Sequence, residues 1–321
     1  MPTTAEVAAL QALDMLLESG NARRSPWPLT VRALAVASGE FGPEFRLCTA
    51  RKLPVSLIQP QAFDTDATAA ARKGSALLSA ATVGDDVQVK ACLSSGCNPD
   101  ECFANGVTPL MLASRAGALQ AVVALLEGRA DPNLRSERGC TALSLSAEMV
   151  GAARVVEALL HMDADPNTVN EAGVSPVMDA AKIGENASVR ALAAAGADLE
   201  VGEKSFGATP LAWAVDGSHL ETCHLLLELG ANIDKPLSDG RSVLTLATMH
   251  GNAEMTLQLL KAGADPNLIC ATGETALLIG VGPSHDNDAC VRALVSEGGV
   301  DVDQTHAFTG LTALMASCQE G

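Results

Sequence analysis

Gly207-Ala208-Thr209-Pro210-Leu211 decides the fold, because altered copies of it run through most of the chain. Gly106-Val107-Thr108-Pro109-Leu110 precedes it. Gly139-Cys140-Thr141-Ala142-Leu143, Gly173-Val174-Ser175-Pro176-Val177, Gly273-Glu274-Thr275-Ala276-Leu277 and Gly310-Leu311-Thr312-Ala313-Leu314 repeat the same idea, and Gly240-Arg241-Ser242-Val243-Leu244 is a weaker copy. The leading glycines are spaced by 33, 34, 34, 33, 33 and 37 residues. A fixed period in this range marks an array of stacked supersecondary units, and it outranks any local propensity signal.

Each unit has a physical reading. The glycine permits a turn that a side chain would resist. The Thr or Ser that follows can cap a helix by accepting a bond from a free N–H, and Pro fits the first helical position. A short apolar helix comes next, as in Leu110–Ser114 or Leu211–Val215, then a tight turn such as Arg115-Ala116-Gly117 or Met249-His250-Gly251. A second helix carries a Val/Leu face (Val122, Val123, Leu125, Leu126; Leu225, Leu226, Leu227) and stops at Gly196-Ala197, Gly230-Ala231 or Gly263-Ala264, where glycine suits a left-handed cap. Asp131-Pro132-Asn133, Asp165-Pro166-Asn167 and Asp265-Pro266-Asn267 favour a turn into the next copy.

The pattern resembles the ankyrin repeat, with its period of about 33 residues and its T-P-L-H-x-A signature. The resemblance implies an all-α fold: an ankyrin-repeat solenoid of paired antiparallel helices with β-hairpin-like loops. It covers residues 73–321, with copies starting near 73, 106, 139, 173, 207, 240 and 273 and an incomplete one at 310. The signature His is replaced throughout, by Met111, Ser144, Met178, Ala212, Thr245, Leu278 and Met315. That departure removes loop-bracing hydrogen bonds and leaves the fold expectation intact.

Composition agrees. The chain has 321 residues, 48% hydrophobic, yet only 2% are aromatic; thin helices packed closely need small side chains. The formal net charge is −17. Residues 1–72 carry seven acidic and seven basic groups, whereas 73–321 carry 31 and 14, so the repeats hold the whole excess. Such a surface repels phosphate backbones and anionic lipid. It excludes direct nucleic-acid binding and favours a partner protein with a basic segment, although acidity also serves solubility. Nine cysteines is an odd count. Cys92, Cys97, Cys223, Cys290 and Cys318 align with apolar positions of other copies, which predicts small buried hydrophobes in a reduced, intracellular protein, cytoplasmic or nuclear. Met1–Gly20 lacks a basic head and reads poorly as a signal peptide, and no apolar run is long enough for membrane insertion.

Residues 1–72 form a separate, partly helical N-terminal segment of no assigned family, with an amphipathic helix expected over Thr4–Glu18. The copy from 173 is alanine-rich (Ala191, Ala193, Ala194, Ala195) and is expected to be a soft point of the stack. The copy from 273 has an expanded turn at 282–288. The copy at 310 lacks a second helix, so the chain reads as a piece of a longer protein.

Catalytic constellations are missing: there is no Gly-x-Ser-x-Gly, no phosphate-binding loop and no His-Glu-x-x-His. The chain is read as a non-enzyme without cofactor. His219 and Cys223 share a helix face, and Cys92, Cys97 and Cys102 are evenly spaced, but core and loop roles explain them better than a metal. Asn133, Asn167 and Asn267 resemble the hairpin asparagines that hydroxylases modify in some ankyrin proteins; hydrogen bonding within the hairpin is the simpler role. The resemblance also implies a concave face made of hairpin tips and the open side of the first helix. Its candidate residues here are Asp179, Lys182, Phe206, Trp213, Asp216, Arg241, Met249 and His250, with Arg115, Asn105, Arg138 and Asp239 alongside. Trp213 suits an interface anchor, and an acid beside it suits a partner's Lys or Arg. The competing role for Trp213 is packing between neighbouring first helices. Two functions follow: a scaffold that binds a partner protein, or the targeting module of a larger enzyme such as a ubiquitin ligase or kinase.

Overall fold

In this computed structural model the described residues are 76–282, 287–297 and 299–320. The expectations for residues 1–72, including the Thr4–Glu18 helix, and for the expanded turn at 283–286 fall outside them. The described part is a row of helix pairs. Helix α1 covers residues 76–83 and pairs with α2 (Asp86–Ser94). The pairs that follow are α3 (Pro109–Arg115) with α4 (Leu119–Glu127), α5 (Ala142–Ala147) with α6 (Ala153–His161), and α7 (Pro176–Ile183) with α8 (Asn186–Ala194). Next come α9 (Pro210–Asp216) with α10 (Leu220–Glu228), α11 (Val243–Met249) with α12 (Ala253–Lys261), and α13 (Ala276–Gly280) with α14 (Asp288–Glu297). The single helix α15 (Ala313–Glu320) leans on α13.

The sequence signals act where expected. Pro109, Pro176 and Pro210 open their helices. Thr108, Thr209, Ser242 and Thr275 each accept the N–H three residues on at 3.3 Å, satisfying a donor that no helical carbonyl reaches. Ser175 is the exception. Its buried hydroxyl has no partner, and the Met178 N–H bonds to the Ser175 carbonyl at 3.0 Å instead. Two substitutes for the signature His still reach back: Ser144 Oγ accepts the Thr141 N–H at 3.0 Å, and Thr245 and Ser242 hydroxyls lie 3.1 Å apart.

Packing runs along one axis. First helices pack on first helices of the neighbouring copies, and second helices on second helices. Leu125, Leu159, Leu192, Leu226, Leu259 and Leu294 take the same place in successive second helices, all fully buried. Each such side chain stabilises by about 1.5–3 kcal/mol, and it does so only against its neighbours' helices. The loops are sewn together as well. Glu171 N–H donates to the Arg138 carbonyl (3.0 Å), Ser238 to Phe206 (2.7 Å) and Ala271 to Asp239 (2.9 Å), each one copy back. A second seam runs through side chains: Asp100, Asn133, Asn167, Glu200, Asp234 and Asn267 each accept a backbone N–H from the following copy, at 2.7 to 3.0 Å. The hairpin asparagines are thus committed to bonding; Asn133 also donates to the Asp163 carbonyl at 2.9 Å.

Cys97, Cys223 and Cys290 are buried and Cys92 is half-buried, as small hydrophobes should be. Burial pushes the Cys223 thiol up to about 12. Cys318 corrects the expectation, being exposed: it lies on α15, which packs on α13 among the described residues, and Leu314 and Met315 are also 73% and 54% exposed. The alanine-rich helix α8 buries only Ser188, Val189 and Leu192, whereas α4 buries Ala121, Val122, Ala124, Leu125 and Leu126. In native-state hydrogen exchange the amides of α8 should open more readily than those of α4, by roughly ten-fold in protection; equal protection would remove the soft point.

Candidate protein-binding face

Aligning the copies by their leading glycines sorts the first helices into columns. The ninth residue after the glycine is Arg115, Glu148, Lys182, Asp216 and Met249 in turn. The first four alternate in sign, positive then negative. All lie at or next to the C-terminal ends of α3, α5, α7, α9 and α11, where the helix dipole favours cations and disfavours Glu148 and Asp216. The sixth residue is Leu112, Leu145, Asp179, Trp213, Leu246 and Ile279. An otherwise apolar column is therefore interrupted at Asp179 and Trp213, in adjacent copies.

Asp179 was expected on the open side of its helix; it is instead only 7% exposed. Helix α7 is packed between α5 and α9, which takes Asp179 out of solvent. Its Oδ2 has no hydrogen-bond partner among the described residues. Burial holds the Asp179 carboxyl well above the usual carboxylate range; the Glu148 charge adds to the rise and Lys182 opposes it. Glu148 is exposed at its tip, yet crowding desolvates it and raises its pKa, against the pull of Lys182 and Arg115. The Cys140 thiol, in the hairpin before α5, is raised by burial and then by Glu148.

Lys182 Nζ lies 4.8 Å from the centroid of the Trp213 ring, a cation–π contact within the protein. Trp213 is half-buried, with its body against the core. The packing expected of Trp213 is seen in its contact with the core, and its ring also carries the chain's own Lys182. One turn further along α9, Asp216 Oδ1 lies 3.5 Å from His250 Nε2 of the next copy, an ion pair whenever His250 is protonated. Met249 is half-buried beside it in the sequence.

The structure thus gathers Asp179, Lys182 and Trp213 with the unforeseen Glu148, and pairs Asp216 with His250. Phe206 and Arg241 stay on hairpin tips. Arg241 Nε is held 3.3 Å from Asp239. The Phe206 tip is organised by Glu203, a buried carboxylate that accepts the N–H groups of Ser205 (2.6 Å) and Phe206. Glu203 breaks no pattern in the sequence, and Glu148 acts on Asp179 from the preceding copy, a relation visible only once the copies are stacked. His219 has a bracing role: its Nε2 lies 3.0 Å from the Lys182 carbonyl, and its ring fills the space beside Gly184 and Gly217. Among the described residues no group of three His, Cys, Asp or Glu is placed to hold a metal, and no helix is long and apolar enough to cross a membrane.

A row of two-helix units, joined by loop seams and presenting a charged first-helix face, defines a repeat-solenoid protein. The family model for ankyrin repeats matches residues 77–170, 143–236, 177–270 and 244–321, and the chain belongs to that family. The human palmitoyltransferase ZDHHC17 is 41% identical over 175 residues, 54% of this chain and 28% of that protein. The E3 ubiquitin-protein ligase KEG of Arabidopsis thaliana is 31% identical over 105 residues, 32% of this chain and 6% of the ligase. The match thus spans a minor part of each relative. The solved ankyrin repeat domain of human ASB11 aligns with a TM-score of 0.62 at 27% identity, covering 70% of this chain and 98% of that one.

Proposed function

We propose that this chain is a non-catalytic intracellular scaffold that holds a partner protein on the concave first-helix face, centred on the copies from 173 and 207. The observation that carries the reading is the break in the apolar column at Asp179 and Trp213. A buried carboxyl with an unpartnered oxygen destabilises a stack, and its retention beside a half-open indole fits use by a guest. The partner carries a basic segment, matched to the acidic excess of the repeats. Rigid display reduces the ordering cost of binding, because the stack already fixes Asp179, Lys182, Trp213, Asp216 and His250 relative to one another. Met249, Phe206 and Arg241 extend the face toward the next copy and the tips.

Selection of a random-peptide display library on the full chain tests this. Enriched peptides should share an Arg or Lys, and Trp213→Ala should weaken them by about ten-fold or more with helicity unchanged. Equal capture by that variant at equal helicity would remove the reading. A second reading is supported by the ligase and the palmitoyltransferase among the relatives: the array is the targeting module of a larger enzyme. A transcript that encodes a catalytic domain beyond Gly321 favours it; a stop codon there removes it.

A further inference from the structure

We propose that the niche bounded by Glu148, Asp179 and Trp213 is a binding site for a guanidinium group, and that Lys182 is its resident stand-in. The proposal rests on the reading of this face as the partner-binding face, and it specifies the chemistry of the guest. Three observations converge. The niche already attracts a cation, since Lys182 sits over Trp213 at 4.8 Å. That cation leaves the site incomplete, since Oδ2 of Asp179 remains without a donor. The Glu148 charge also acts on Asp179, so a second carboxylate adjoins the first.

An ammonium is a point charge on a stem, and the Lys182 stem starts from the same helix as Asp179. It reaches the ring without bonding to Asp179 Oδ2. A guanidinium entering from outside is planar, stacks on an indole and carries five donors in a fork. It can lie on Trp213 and still direct N–H groups to Asp179 and to a flanking carboxylate, forming charge-assisted bonds. Lys182 is exposed, so an entering guanidinium can replace it over the ring and take over its attraction to Asp179 and Glu148. The same pair of carboxyls disfavours a phosphate or carboxylate guest.

The test uses the full chain with Trp27→Phe, which leaves Trp213 as the single indole. N-acetyl-arginine methylamide and its lysine and citrulline counterparts are titrated while Trp213 fluorescence is followed. The arginine probe should saturate in the millimolar range expected of so small a ligand, at least about three-fold tighter than the lysine probe. Citrulline, a neutral isostere, should give no saturable change. Lys182→Met should tighten the arginine probe about three-fold by removing the competitor. Asp179→Asn, nearly isosteric and checked by its thermal midpoint, should weaken it about ten-fold or more. Citrulline binding as well as arginine, no saturable arginine signal, or weaker binding in Lys182→Met would each overturn the proposal. Display-selected peptides that need Trp213 but are indifferent to Asp179→Asn and Lys182→Met would overturn it while leaving the scaffold reading standing. Loss of Trp213 dependence would overturn both.

Discussion

Asp179→Leu should raise the stability of the array by about 2 kcal/mol at neutral pH, read as a higher urea midpoint with an unchanged slope. The same column already holds Leu112, Leu145 and Leu246, so the site accepts the shape. What the substitution removes is a desolvated carboxyl with an unpaired oxygen. The pH dependence follows from the direction of the shift. The folded-state pKa of Asp179 is raised above the ordinary value of 3.8. Below that value the carboxyl is neutral in both states and the penalty is absent. As pH climbs through 3.8 toward the raised folded pKa, the unfolded chain releases its proton while the folded chain keeps it, so stability falls. Above the folded pKa the penalty is complete and constant. The advantage of Asp179→Leu should therefore grow with pH across that window and then level off. A leucine variant that is less stable than the parent at neutral pH would contradict the burial account, and the variant should lose the guest whatever its stability.

Gly240→Ala should cost about 3 kcal/mol, measured by the same urea titration. Gly240 has φ +76°, and an added Cβ would stand 2.9 Å from the Ala271 backbone nitrogen and 3.3 Å from the Cys270 Cα. That nitrogen is the one bonded to the Asp239 carbonyl, a stitch in the loop seam between successive copies. Strain in the turn and a clash with a backbone that cannot yield thus act together. Gly230→Ala offers the contrast. Its φ is +93° but a Cβ there meets nothing within 4 Å, so it should cost less, about 1 kcal/mol. Equal losses in the two variants would show that the seam is not under tension at Gly240.

The stack was legible because its signals repeat. One Thr-Pro-Leu is weak evidence for a helix start, but seven registered copies fix both the caps and the pairing. Ser175 shows the limit of the motif: it has the capping residue type, yet the Met178 N–H bonds to the Ser175 carbonyl and the Ser175 N–H to the Met178 sulfur. Trp213 and Asp216 stood out in the sequence as candidates, because an aromatic and an acid on a helix face are unusual in a chain with so few aromatics. The burial of Asp179 did not. It comes from the packing of α7 between α5 and α9, so it belongs to the assembled stack rather than to any stretch of sequence. The same holds for Lys182, whose ring partner is in the following copy. Cys318 failed as a core position because burial of a helix in this architecture is conferred by the next pair.

The central claim is that Asp179 is a buried carboxyl whose pKa is raised in the protein alone and which serves a cationic guest. Its titration by carbon NMR with the Asp carboxyl labelled measures this directly. Asp179 should titrate well above 3.8 in the protein alone, and its midpoint should fall when N-acetyl-arginine methylamide is added to saturation. An Asp179 resonance that titrates near the ordinary aspartate value in the protein alone, or that does not move with the arginine probe, would contradict it.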